Sequence, residues 1–163
     1  MVKDHALKME KSMQVQRIMT QQVHSIGPGD TIIEAAQSMA ENDVGVLPVI
    51  ESGQLIGIVT DRDIAVRGIA GGVSPSMPVR RIMSRNVASC SPDDSIEDAL
   101  GTMANEQVRR LPVCDDQERL VGIIGLGDAA NRDPDASESV RRFAKSANRP
   151  ACTARLRRSR AKG

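Results

Sequence analysis

Leu55-Ile56-Gly57-Ile58-Val59-Thr60-Asp61-Arg62-Asp63-Ile64 is an apolar run that stops at a threonine and turns into a charged segment, and the chain writes it twice. Leu120-Val121-Gly122-Ile123 answers Leu55-Ile56-Gly57-Ile58, and Asp128 answers Asp63. Upstream, Leu47-Pro48-Val49 returns as Leu111-Pro112-Val113, and Met39-Ala40 as Met103-Ala104. Further back, Val23, Ser25, Pro28 and Asp30 match Val87, Ser89, Pro92 and Asp94. The copies open with Arg17-Ile18-Met19-Thr20 and Arg81-Ile82-Met83-Ser84. A pattern of about fifty residues written twice is one supersecondary unit built twice. So small a unit rarely buries enough apolar surface alone. The two copies should therefore pack face to face with pseudo-two-fold symmetry, and any site at their seam should come as a pair.

Each copy predicts the order β-α-β-β-α, a mixed α/β (α+β) fold. A short strand over Val23–Ile26 leads into the turn Gly27-Pro28-Gly29-Asp30. Thr31-Ile32-Ile33-Glu34 is a capping box that starts a helix. Ile32, Ala35, Ala36, Met39 and Ala40 form one apolar stripe at helical spacing, repeated as Ile96, Ala99, Leu100, Met103 and Ala104. The runs Val44–Ile50 and Leu55–Val59, joined by Glu51-Ser52-Gly53-Gln54, read as a hairpin. A short helix from Asp61 stops at Gly68. The expected division is a flexible stretch 1–14, a first repeat 15–68, a Gly/Ser/Pro-rich linker 69–78 and a second repeat 79–131. A C-terminal helix 132–149 and a basic, disordered tail 150–163 follow.

Aromatic residues are nearly absent, with one Phe and no Trp or Tyr, so aliphatic residues and eight Met must fill the core. The net charge of +1 conceals an asymmetry. Nine of the 22 basic residues lie after residue 140, where no acidic residue remains; residues 1–140 carry 13 basic against 21 acidic, a net of −8. Cys90, Cys114 and Cys152 form no CxxC pair, which argues against a disulfide framework or a zinc site. Neither His5 nor His24 has a partner at metal-ligand spacing. Walker and nucleophile-elbow motifs are missing, and no nucleophile–base pairing can be assembled, so no catalytic or metal role is assigned. The charged start has no apolar stretch to act as a signal peptide, and no run is long enough to span a bilayer. These features point to a soluble cytoplasmic chain without membrane contact.

The doubled pattern resembles a tandem pair of cystathionine-β-synthase-type (CBS) domains, over roughly residues 15–131. The apolar strand with its Gly and Thr-x-x-Asp carries the likeness, together with Val108-Arg109-Arg110-Leu111-Pro112-Val113 and the two openings. The resemblance implies a stand-alone regulatory module, not an enzyme, that senses an adenosine-containing ligand: AMP, ADP, ATP, NAD(H) or S-adenosylmethionine. No covalently bound cofactor is implied. It further implies a homodimer of four repeats and an unidentified downstream protein partner. By the same resemblance the base lies between Thr20–Val23 and Val44, Val46 and Pro48, with Ser84, Val87 and Pro112 as second-copy counterparts.

Thr60 ends a strand and starts a helix, a place where free N–H groups attract phosphate. Asp63, one turn in, is placed to accept from both ribose hydroxyls, as an acid does in dinucleotide folds. Arg62, or Arg109 and Arg110, can neutralise phosphate. The same Thr-x-x-Asp is also a capping box, in which the acid reaches back to its own backbone. In the second copy Thr60 becomes Gly125 and Arg62 becomes Gly127 while Asp128 stays, so the Thr60/Asp63 site is expected to be the better one. A different reading assigns function to the tail. Arg155-Leu156-Arg157-Arg158-Ser159-Arg160 suits protein interaction or non-specific contact with nucleic acid, although no aromatic is interleaved to stack bases, and a solubilising tail lying loosely on the acidic body explains the same run.

Overall fold

The computed structural model describes residues 13–132. The expected C-terminal helix and basic tail, and all but the last two residues of the N-terminal stretch, lie outside the described residues. Helix α1 spans Ile32–Glu41, strands β1 and β2 span Val46–Glu51 and Gln54–Thr60, and α2 runs Asp61–Asp63 and continues as a π-helical segment Ile64–Ile69. The second copy repeats this with α3 Ile96–Glu106, β3 Arg110–Cys114, β4 Leu120–Gly125 and α4 Leu126–Arg132. Short 3-10 turns at Val15–Arg17 and Val79–Arg81 open the two copies.

Local signals decide these elements. Thr31 caps α1 with its hydroxyl on the Glu34 N–H, and the Glu34 carboxylate accepts from the Thr31 N–H at 2.7 Å. Ser95 caps α3 by accepting from the Asp98 N–H. Positive φ at Ser52 and Gly53 turns β1 back onto β2 in a tight hairpin. The helical stripes face the sheets, burying Ile32, Ala35 and Met39 in α1 and Ile96, Ala99, Leu100 and Met103 in α3. Ala40 and Ala104 are exposed, contrary to the stripe, although their neighbours Met39 and Met103 in the same turns are buried.

The strand expected over Val23–Ile26 shrinks to one residue. Ile26 pairs in parallel with Val49, donating to the Pro48 carbonyl and accepting from the Ile50 N–H. Cys90 does the same beside Val113. The cause lies on both sides. Gly27-Pro28 turns the chain immediately afterwards, and six residues earlier Thr20 is already engaged with the other copy.

That engagement is the principal topological finding: the openings are exchanged. Thr20 pairs with Ile123 on the free edge of β4, and Ser84 pairs with Ile58 on the free edge of β2, with all four N–H···O distances at 2.9 Å. Val15 and Ile18 are buried in the core of α3, β3 and β4, whereas Val79, Ile82 and Met83 are buried with α1, β1 and β2. The exchanged segments also satisfy helix-start donors, since Met77 and Pro75 carbonyls accept from the Ile32 and Ile33 N–H groups and the Met13 carbonyl accepts from Ile96. Among the described residues no helix is long and apolar enough to cross a membrane.

Candidate functional site

Because each opening crosses over, the stretch after Thr20 runs from the edge of the second sheet at Ile123 to the edge of the first at Ile26. A cleft of about 660 Å³ lies along this stretch, within the range of small-molecule sites. Thr20, Gln22, Val23 and His24 form one side. Asp43, Val44 and Val46 come from the end of α1 and the start of β1. Ile123, Gly125, Leu126, Gly127 and Asp128 come from the β4–α4 junction, with Arg109 and Arg110 from the start of β3.

Local bonds hold the β4–α4 junction. The Asp128 Oδ2 accepts from the Gly125 N–H at 2.8 Å, and the Leu126 N–H donates to the Arg109 carbonyl at 3.0 Å. A β-carbon at Gly125 would stand 3.0 Å from the Asp128 Oδ2, a tight approach; at Gly127 a β-carbon would meet nothing within 4 Å. The cleft thus combines aliphatic surface from Val23, Val44, Val46 and Ile123 with the carboxylate of Asp128 and two exposed arginines. Such walls suit a flat ring held by its faces, a polar group at Asp128 and an anion near Arg109 and Arg110. Among the described residues no group of three His, Cys, Asp or Glu side chains is placed to hold a metal.

The first copy's Thr60 and Asp63 take a different form. The Thr60 Oγ1 accepts from the Asp63 N–H at 3.1 Å, while the Asp63 Oδ2 accepts from the Thr60 N–H at 3.0 Å and from the Thr60 hydroxyl at 2.8 Å. The other oxygen, Oδ1, faces the Arg67 Nε at 3.4 Å. This reciprocal capping box engages the Thr60 hydroxyl and one oxygen of Asp63 in local bonds. Both acids bond back to their strand ends, Asp128 Oδ2 to the Gly125 N–H as Asp63 Oδ2 to the Thr60 N–H, and only the first copy adds a hydroxyl to that bond.

The predicted residues therefore divide. Thr20, Val23, Val44, Val46, Arg109, Arg110 and Asp128 line one cleft. The crossover sends Thr20 and Val23 to Asp128, not to Asp63. Ser84 belongs beside Thr60 and Asp63, through its pairing with Ile58. Pro48 and Pro112 are buried within β1 and β3, their carbonyls occupied by Ile26 and Cys90. Arg62 is exposed, its N–H bonded to Asp61, and Val87 is half-buried. Gln22, Asp43 and Leu126 carry no motif, Ile123 enters the pattern only as the repeat of Ile58, and His24 shows no metal-ligand spacing. Their proximity follows from the exchange and has no local sequence signal.

Comparison with known proteins bears on this geometry. The CBS domain family model matches residues 15–67 and 79–134. The CBS domain-containing protein YhcV of Bacillus subtilis is 48% identical over 116 residues, covering 71% of this chain and 82% of that protein. The crystal structure of Hypoxic Response Protein I, described with two coordinated zinc ions, has a TM-score of 0.69 at 35% identity, covering 75% of this chain and all of that one. The CBS domain pair of protein MJ0100, solved with 5′-methylthioadenosine and S-adenosyl-L-methionine, has a TM-score of 0.67 at 28% identity, covering 73% and 98%.

Proposed function

This chain belongs to the CBS domain family as a tandem pair, and from that premise we propose that it is a cytoplasmic regulatory module, not an enzyme, that binds an adenosine-containing ligand. The supporting observation is the meeting of Thr20 and Val23 from one copy with Asp128 from the other in a single cleft. The base packs between Val23 and the aliphatic surface of Val44 and Val46, the sugar hydroxyls meet the Asp128 carboxylate, and phosphate or another anion faces Arg109 and Arg110. The adenosine-type ligands of the MJ0100 pair support this choice of ligand class. A ligand seated there touches both copies. It shifts their packing only as far as it binds one arrangement better than another, and the altered surface is what a partner reads.

Ile33, Val66 and Ile69 are large apolar residues exposed on α1 and the helical segment after β2, which pack together. We read this face as a contact with a second copy; sedimentation should show dimers that Ile69→Glu weakens, and a concentration-independent monomer would dismiss it. The ligand reading is tested by calorimetric titration with AMP, ADP, ATP, NAD(H) and S-adenosylmethionine. At least one should bind, and Asp128→Ala should weaken it about 10- to 100-fold, the worth of a hydrogen bond to a charged group. No binding by any of them below about 1 mM, some 4 kcal/mol, would defeat the proposal.

A further inference from the structure

We propose that Arg67 is an internal latch that holds the first copy's half of the paired site shut until the latch releases. The inference rests on the adenosine-site reading above and adds a residue and a regulation to it. By the register of the repeat, Ser84 stands where Thr20 stands and Asp63 where Asp128 stands. The Arg67 guanidinium bridges these two positions. Its Nη1 donates to the Ser84 Oγ at 3.0 Å and to the Ile82 carbonyl at 3.0 Å, and its Nε lies 3.4 Å from the Asp63 Oδ1.

The bridge removes what a ligand needs. Asp63 Oδ2 already serves the Thr60 N–H and hydroxyl, so Oδ1 is the atom left to receive a sugar hydroxyl, and the guanidinium faces it. Ser84, the hydroxyl at the opposite wall, is taken by the same side chain. The arrangement is releasable: the Arg67 side chain is 51% exposed against 14% for Asp63, so the arginine can leave into water while the carboxylate stays in place. A ligand must wait for that departure, and a site closed ten times for each opening binds about tenfold more weakly than its intrinsic affinity.

Calorimetry with AMP on the wild type, Arg67→Ala and Asp128→Ala/Arg67→Ala tests this, with Arg67→Gln as a second variant should the alanine protein lose its thermal transition. Removing Arg67 should add a second bound AMP per chain. The double variant, with the Asp128 cleft disabled, should bind AMP about tenfold or more tightly than Asp128→Ala alone. Unchanged stoichiometry and affinity would overturn the latch while leaving the Asp128 cleft intact. Weaker binding without Arg67 would also overturn it, marking the arginine as a ligand-holding group. AMP binding to the double variant, with none to the wild type, would uphold the latch and defeat the Asp128 cleft reading instead.

Discussion

Gly57→Ala tests the exchange of openings more directly than any change in the cleft. A methyl built at Gly57 would stand 2.9 Å from the Ser84 carbonyl oxygen and 2.8 Å from the Met83 sulfur. The sulfur ends a flexible side chain, but Met83 is buried and has little room. The carbonyl is backbone, fixed by the reciprocal Ile58–Ser84 pair at 2.9 Å each way. Relieving the clash means moving the second copy's opening off β2. Overpacking of this kind costs about 1–3 kcal/mol, and loosening that pair adds about 1 kcal/mol per bond. Alanine's advantage over glycine within a strand returns about 0.5–1 kcal/mol. The net is about 2–4.5 kcal/mol, which lowers Tm by roughly 6–20 °C for a domain of this size. At Gly122 the nearest contact is the Met19 sulfur at 2.6 Å, while the Thr20 carbonyl is 3.2 Å away. Rotation of half-buried Met19 relieves most of that strain, so Gly122→Ala should cost about 1 kcal/mol less. Scanning calorimetry of both variants decides the matter. A Gly57→Ala protein as stable as wild type, or a larger loss at Gly122, would refute the docking of the openings on the strand edges.

Two further outcomes are expected. Burial raises the Cys90 thiol from its ordinary value to about 12, and burial also raises Cys114. Because the folded value is the higher one, the stability Cys90 contributes is complete below the ordinary thiol range near 9.0 and falls away as pH rises toward about 12. Alkylation at pH 8 followed by peptide mass spectrometry should find Cys90 unmodified in native protein, and rapid labelling there would contradict its placement. At the other end of the scale, the Thr31 hydroxyl and N–H hold Glu34 below the ordinary value of 4.5. Its contribution to stability is therefore present above that value and lost as pH falls through the lower folded one. Carboxyl NMR titration should show the depression, Thr31→Ala should lessen it by removing the hydroxyl while the backbone N–H remains, at a cost near 1 kcal/mol of helix capping, and a Glu34 titration unaffected by Thr31→Ala would dispose of the capping box.

Elements whose causes are local were legible in the sequence. The Thr31–Glu34 box, the helical stripes through Met39 and Met103, and the Ser52-Gly53 turn each draw on residues within one turn or one hairpin of each other. The exchange was not legible, for a reason built into the repeat. Arg17-Ile18-Met19-Thr20 and Arg81-Ile82-Met83-Ser84 are nearly the same tetrapeptide, so either opening suits either strand edge by composition. The choice is made by where the chain can reach, and that decided which acid Thr20 would face. The Thr60–Asp63 question was undecidable for another reason: capping and sugar binding ask for the same atoms at the same spacing. Arg67 stands four residues beyond Asp63, a spacing at which charges meet on a helix. Its second anchor, Ser84, becomes its neighbour only through the crossover.

The crossover also explains why occupancy of a cleft could be felt by both halves. Each core is completed by the other copy's opening, Val15 and Ile18 in one direction and Val79, Ile82 and Met83 in the other. Neither half can change its tilt without dragging a buried segment that also supplies helix-start acceptors to its neighbour. Packed interiors of this kind respond as alternatives, not as a graded deformation. The stretch from Thr20 to Ile26 is tied at one end to Ile123 and at the other to Pro48 and Ile50, and its middle forms a cleft wall. On the proposed reading, a ligand pressing on Val23 would act on a strut between the sheets. Arg67 ties the matching strut of the other copy at Ile82 and Ser84. Release of that tie removes three polar contacts at once, from Ile82, Ser84 and Asp63, and so would loosen the strut and the acid together.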